Sequence, residues 1–266
     1  MKKVLLSTFA SVALSGYASA ATLFSSEFDS GADFSSEVSG ADQLITFGYD
    51  YSADGLSSPD GTDTIGLKME ANLMDGVATG VAVYTNQGFT GNYQVSFDFY
   101  ISNSTSGTTE FIGGGAGFST GNGFLGGAVL IGDSDGDSGS DFRFYDNGNL
   151  GATYNNTDPL PTSAFPGAGG NAPGTLAFAW HKMVIDVNGA SANFTIDGVD
   201  FGSTTGVNDN GSVSLVYADL FTSVSNMPER SFGIIDNLTV TDVIPEPSSS
   251  LLLGLSFLGL ALRRRR

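Results

Sequence analysis

The chain has 266 residues, with no cysteine, 37 glycines, and 28 acidic residues against ten basic ones. Six of the basic residues (Lys2, Lys3, Arg263, Arg264, Arg265 and Arg266) sit at the two ends, so residues 21–247 set Lys68, Arg143, Lys182 and Arg230 against all 28 acids, a net charge of −24. Such a body repels nucleic acid and anionic lipid while attracting divalent cations, and the lack of cysteine excludes disulfides and thiolate metal sites.

At the N-terminus, Lys2 and Lys3 precede an apolar stretch from Val4 to Leu14 and then Ala18-Ser19-Ala20. A charged start, an apolar run and an A-x-A site predict a secretory signal peptide over residues 1–20, cleaved after Ala20; a retained N-terminal anchor is the alternative. Export brings the rest of the chain to a disulfide-permissive compartment, yet its stability must come from a packed core. The composition, 41% hydrophobic and 11% aromatic, supplies one and argues against disorder.

Residues 21–242 read as a single all-β domain. In Tyr93–Ile101, Tyr93, Val95, Phe97, Phe99 and Ile101 alternate with Gln94, Ser96, Asp98 and Tyr100, the period-two signature of a half-buried strand. Similar runs are Leu44–Tyr49, Thr64–Met69, Gly80–Thr85, Ala128–Ile131, Asp141–Tyr145, Leu176–Val187, Ala192–Ile196, Val213–Val216 and Ser231–Val240. Turn chemistry separates them at Asp54-Gly55, Asp60-Gly61 and Asn147-Gly148. Residues 103–127 and 146–175 are rich in Gly, Ser, Thr and Asn. Within them Phe111–Gly115 and Gly121–Phe124 suit strands with bulges or close backbone approach, and Asp158–Pro173 suits a surface loop. No segment carries a convincing amphipathic helix. Many short strands at regular spacing predict an antiparallel β-sandwich of jelly-roll type.

Trp180–Val199, WHKMVIDVNGASANFTIDGV, places two strands around an Asn188-Gly189 turn and ends the second at Asp197-Gly198. This hairpin, the closing SFGIIDNLTV and the opening LFSSEFDSGADF resemble elements of laminin-G-like and concanavalin A-like sandwiches. The resemblance implies the jelly-roll fold, with Phe24–Phe34 as first strand and bend.

Material for catalysis is sparse. His181 is the only histidine, G-x-S-x-G is absent, and so is the E-x-D-x-x-E strand pattern typical of sandwich glycosidases. His181 shares a strand face with Met183, Ile185 and Val187, which predicts a packed structural role. No catalytic residue is assigned.

Two acidic groups are candidates for calcium, which takes hard oxygen ligands. Asp133, Asp135 and Asp137 alternate in DSDGDSGSD. An EF-hand loop starting at Asp133 would need Gly and Glu where Ser138 and Phe144 stand, so the choice is a different calcium loop or a solvated acidic hairpin. Asp236 falls in phase with Phe232, Ile234, Leu238 and Val240, and a carboxylate so placed needs donors, a cation or a bulge that turns it outward. The sandwich resemblance implies a structural calcium between Asp236 and Glu27 or Asp29. For sugar binding, the aromatic candidates are Tyr145, Tyr154, Tyr217 and the single Trp, with cross-strand packing as the competing role. The five N-x-S/T sequons arise readily by chance in so Asn- and Thr-rich a chain.

The chain closes on VIPEPSSSLLLGLSFLGLALRRRR, residues 243–266. The apolar run Leu251–Leu262 spans about 18 Å as a helix, short of the ~30 Å hydrocarbon core. It is apolar all round, so it suits transient membrane contact better than a core helix, with Arg263, Arg264, Arg265 and Arg266 on the cytoplasmic side. Pro245-Glu246-Pro247, the leucine-rich run and the terminal arginines resemble a PEP-CTERM sorting signal. That resemblance implies processing by an exosortase near Pro245–Pro247, in a Gram-negative-type bacterium that makes exopolysaccharide. The sequence therefore predicts an exported, non-enzymatic protein of the cell surface or extracellular matrix, structural or adhesive and associated with exopolysaccharide. A lectin-like carbohydrate-binding module is the first alternative and a glycan-processing enzyme the second.

Overall fold

The structure is a computed structural model that describes residues 20–40, 42–71, 73, 78–103, 110–136, 139–221 and 228–243. The expected signal peptide up to residue 19, Asp137 and residues 244–266 lie outside them. Residues Thr22–Val243 form one compact unit.

That unit is the predicted antiparallel sandwich. Its strands are β1 (Thr22–Ser26), β2 (Phe34–Ser39), β3 (Gln43–Asp50), β4 (Ile65–Ala71), β5 (Thr79–Phe89), β6 (Tyr93–Ser102), β7 (Glu110–Phe118), β8 (Ala128–Asp133), β9 (Phe142–Asp146), β10 (Asn149–Tyr154), β11 (Trp180–Asn188), β12 (Ser191–Ile196), β13 (Val199–Thr205), β14 (Gly211–Asp219) and β15 (Phe232–Asp242). One sheet runs β13-β12-β11-β6-β15-β4-β3, with β1 added beside β15; the other runs β10-β9-β8-β7-β14-β5-β2. A short helix, α1 (Pro159–Ala164), sits in the stretch expected to be loop.

The alternating strands fall as expected. Val95, Phe97, Phe99 and Ile101 of β6 and Met183, Ile185 and Val187 of β11 enter the core between the sheets, where they meet Leu130, Val213, Leu215 and Tyr217 of the opposite sheet. Both faces of the second sheet are apolar. Ala82, Phe111, Val129, Ile131 and Val216 form a separate buried cluster with Phe118 and Leu125, away from the inter-sheet core. Strand β7 is accordingly buried at all nine positions and shows no alternation. Its glycines are required by closeness: a Cβ on Gly113 would stand 2.1 Å from the Leu130 carbonyl oxygen.

Three expectations change. The opening stretch is two strands in different sheets, since β1 pairs with β15 and β2 with β5. The chain turns between them at Phe28, a buried residue with φ of 61°. The strand expected from Leu176 begins only at Trp180, because Phe178 adopts φ of 64° and breaks the extended chain. Finally, β15 does not hold one phase. Its register against β6 shifts between Asp236 and Thr239, with Asn237 at φ 55°. Phe232 and Ile234 thereby face outward, while Leu238 and Val240 turn into the core.

Candidate functional site

The bulge in β15 marks a seam. Its first half pairs with β4 and its second half with β1, so Asp236 lies where one neighbour hands over to the other. Asp63 just precedes β4 and Glu27 just follows β1, and the seam therefore gathers carboxylates from three distant segments. Asp236 points to the outer face, yet it is only 2% exposed. The connection from β3 to β4 crosses that face. It begins with a 3₁₀ turn at Tyr51–Asp54, opened by Asp50 accepting the Ser52 N–H. The buried Tyr51 ring packs against Trp180, whose indole Nε1–H donates to the Ser57 carbonyl at 2.9 Å.

Tyr51 Oη donates to Asp236 Oδ2 at 2.7 Å, and the Asn237 N–H donates to Oδ1 at 2.8 Å. Asp98 lies directly across from Asp236 on β6. It accepts from the Asn237 side chain at 2.9 Å and has Lys182 Nζ at 3.5 Å. Asn237 thus serves both carboxylates, one through its backbone and one through its amide, from a left-handed conformation that asparagine tolerates well. Burial pushes the Asp236 carboxyl up to about 6 against the lowering effect of Tyr51 and Asn237, and the neighbouring Glu27 and Asp63 charges add to the rise. Partial burial, Asp60 and Asp63 likewise raise Glu27, against a lowering contribution from the neighbouring Asp236. The structure thus brings Glu27 and Asp236 together, with Asp29 contributing charge nearby. Among the described residues, however, no three acidic or histidine side chains converge as a metal-holding group. Two carboxylates alone fit a calcium ion only if backbone carbonyls and water complete the shell.

In the Asp133 loop, the Asp133 and Asp141 carboxylates accept backbone N–H groups. Asp133 is fully buried. Its Oδ1 accepts the Asp135 N–H at 2.8 Å, its own N–H donates to the Asp141 carbonyl, and Asp141 Oδ2 accepts the Asn156 N–H. Burial, then the charge of Asp135, raises the Asp133 carboxyl well above its ordinary value. Of the sequence-selected residues here, the structure places Asp133 and Asp135 side by side.

His181 is the packed histidine that the strand pattern predicts. Its Nδ1 is 2.7 Å from Asp197 Oδ2 and its Nε2 is 3.1 Å from the Leu176 carbonyl, with Phe99 and Phe165 against the ring. Burial pushes the Asp197 carboxyl up, but His181 and the Lys182 N–H outweigh it and hold the group below its ordinary value. The pair fastens the Asp197-Gly198 corner of the β12–β13 hairpin to the chain entering β11.

Three aromatic candidates prove to be packing residues. Tyr217 is fully buried between the sheets, Tyr145 is buried in the cluster on the other face of the second sheet, and Tyr154 packs edge-on to Phe144 and Phe201 and donates to the Phe201 carbonyl. The structure offers other aromatics instead. A cavity of about 340 Å³ on the outer face of the first sheet is lined by Asp54, Tyr100, Phe178, Glu229, Arg230 and Phe232, among others. Tyr100 bridges Trp180 and Phe232 in a row of ring contacts. A signal for it existed: Tyr100 is the aromatic in the polar phase of Tyr93–Ile101.

Residues 243–266 match the family described as the PEP-CTERM protein-sorting motif. The chain is thus an exported protein sorted by a PEP-CTERM signal. No curated protein matches the sequence. Among solved structures, the body is similar to an endo-β-1,3-glucanase from Pyrococcus furiosus (12% identity, 85% of this chain and 95% of that one, TM-score 0.46). It is also similar to the carbohydrate-recognition domain of Emp47p (8%, 80% and 90%, 0.44) and to carbohydrate-binding module CBM66 from Bacillus subtilis (10%, 70% and 90%, 0.38). At these identities and scores the likeness says nothing of activity.

Proposed function

We propose that the exported body is a non-enzymatic, adhesive protein of the cell surface or matrix that holds extracellular polysaccharide in the aromatic cavity of its first sheet. One observation carries this reading: Tyr100, Phe178 and Phe232 converge with Asp54, Glu229 and Arg230 in a cavity of about 340 Å³. Its volume is that of a small ligand pocket. Sugar rings offer apolar C–H faces to aromatic rings, and their hydroxyls suit carboxylate acceptors and guanidinium donors. Binding is favoured over hydrolysis because a glycosidase needs a carboxyl pair with one member kept protonated. The carboxyls most clearly raised, Glu27, Asp133 and Asp236, do not line this cavity.

A structural calcium at Glu27 and Asp236 belongs to the same proposal. It would supply the positive charge that this acidic seam lacks and tie β1 to β15. Sorting brings the body to an exosortase at Pro245–Pro247, after transient membrane contact through Leu251–Leu262. A glycan array probed with residues 21–243 tests the binding reading. Saturable binding to one sugar class, lost in Phe178→Ala, supports it; no binding to any glycan overturns it.

A further inference from the structure

The charge around the cavity narrows the ligand. Of the four cations of the body, Lys68 pairs with Glu70 at 3.4 Å, Lys182 lies against Asp98 at 3.5 Å, and the Arg143 guanidinium lies over the Phe111 and Phe221 rings. Arg230 is the one that lines the cavity, together with two carboxylates, Asp54 and Glu229. Asp54 gives one oxygen, Oδ2, to the Tyr49 hydroxyl at 2.8 Å; its other oxygen is the one left to a ligand. The cavity wall is therefore net negative, within a body that carries −24. Its rings already show how they take an ammonium, since Lys68 Nζ stands 4.5 Å above the centre of Phe232.

Resting on the polysaccharide reading above, we infer that the cavity selects a cationic amino-sugar polymer, a glycan with free 2-amino groups, over neutral and uronate chains. A protonated amine gains ion pairing with Asp54 or Glu229 and a cation–π contact with Tyr100 or Phe178. A uronate meets repulsion from the wall and from the whole body, and long-range steering strengthens both effects at low salt.

The test uses three hexasaccharides: fully deacetylated glucosamine, its N-acetylated counterpart of equal length, and galacturonate. Each is titrated by calorimetry into residues 21–243 at low and high salt. The deacetylated chain should bind about tenfold or more tightly than the acetylated one at low salt and lose most of that margin at high salt. Glu229→Gln should remove the margin, whereas Asp200→Asn, a charge removed from the exposed edge strand β13, should leave it. Equal binding of the charged and acetylated chains, or tighter binding of galacturonate, overturns the inference and leaves the polysaccharide reading standing. So does an equal loss in Asp200→Asn, which would reduce the preference to overall charge. Failure of the whole glycan array overturns the polysaccharide reading instead.

Discussion

Tyr51 and Asp236, 185 positions apart in sequence, meet in a 2.7 Å hydrogen bond beneath the β3–β4 connection. The Tyr51 hydroxyl also lies 3.1 Å from the Asp63 carbonyl. It has one proton to give, so it serves the carboxylate while Asp236 is ionised. When Asp236 is protonated, the direction can reverse: Asp236 donates to Tyr51, and Tyr51 donates to Asp63. Both states satisfy the buried groups, and both hold in place the connection that carries Asp54 to the cavity.

Tyr51→Phe keeps the ring packing against Trp180 and deletes the hydroxyl. A buried carboxylate then loses a donor, which should cost about 1.5–3 kcal/mol at neutral pH. Chemical denaturation of the variant measures this, and a loss below about 0.5 kcal/mol would contradict the role given to the bond.

The pH dependence follows from the raised Asp236 carboxyl, about 6 against an ordinary 3.8. A group that holds its proton more tightly when folded stabilises the fold below its ordinary value, and this contribution is lost as pH rises through about 6. The full effect is on the order of 3 kcal/mol. Glu27 is shifted in the same direction. Thermal unfolding should therefore show a higher Tm at pH 5 than at pH 7.5. Asp236→Asn should narrow the difference, and the gap between variant and parent isolates Asp236 from other titrating groups.

Calcium competes with that proton. Millimolar calcium should raise Tm more at pH 7.5 than at pH 5, and Glu27→Gln should abolish the rise if the ion sits at the seam. If Asp135→Asn abolishes it instead, the Asp133 loop is the site. A Tm unmoved by calcium would remove calcium from the account.

His181→Phe retains most of the ring volume between Phe99 and Phe165 but leaves the Asp197 carboxylate and the Leu176 carbonyl without their partner. A loss of about 2–4 kcal/mol of stability with glycan binding intact is expected, because His181 does not line the cavity. Loss of binding in a folded His181→Phe protein would contradict its structural role.

The sequence showed the sandwich through strands with one wet face, such as β6 and β11, where alternation is visible. It showed β7 only in part, through Phe111–Gly115, because a strand buried on both faces has no polar phase and three consecutive glycines look like loop. It hid β10 and β13 for a different reason: both lie at sheet edges and read as polar connections. The acidic seam was half visible. Asp236 stood out as a carboxylate in an apolar phase, and its link to Glu27 followed from the resemblance of the first and last strands. Tyr51 and Asp63 could not be found that way, because they reach the seam through the path of a connection, which has no period. The cavity depended on the same connection for Asp54 and on the left-handed turn at Phe178. Sequence alone offered Tyr217 only as one aromatic candidate with packing as its competing role, and its alternation partners in β14 are buried on both faces.

The central claim is that the outer face of the first sheet holds glycan. Backbone amide shifts of labelled residues 21–243, followed during titration with the tightest-binding oligosaccharide of the array, test it most directly. The account predicts saturable changes centred on Tyr100, Phe178, Glu229 and Arg230, with the β7–β8–β14 amides unmoved. Changes confined to the other sheet, or to the β13–β14 connection at Asp209, would contradict it.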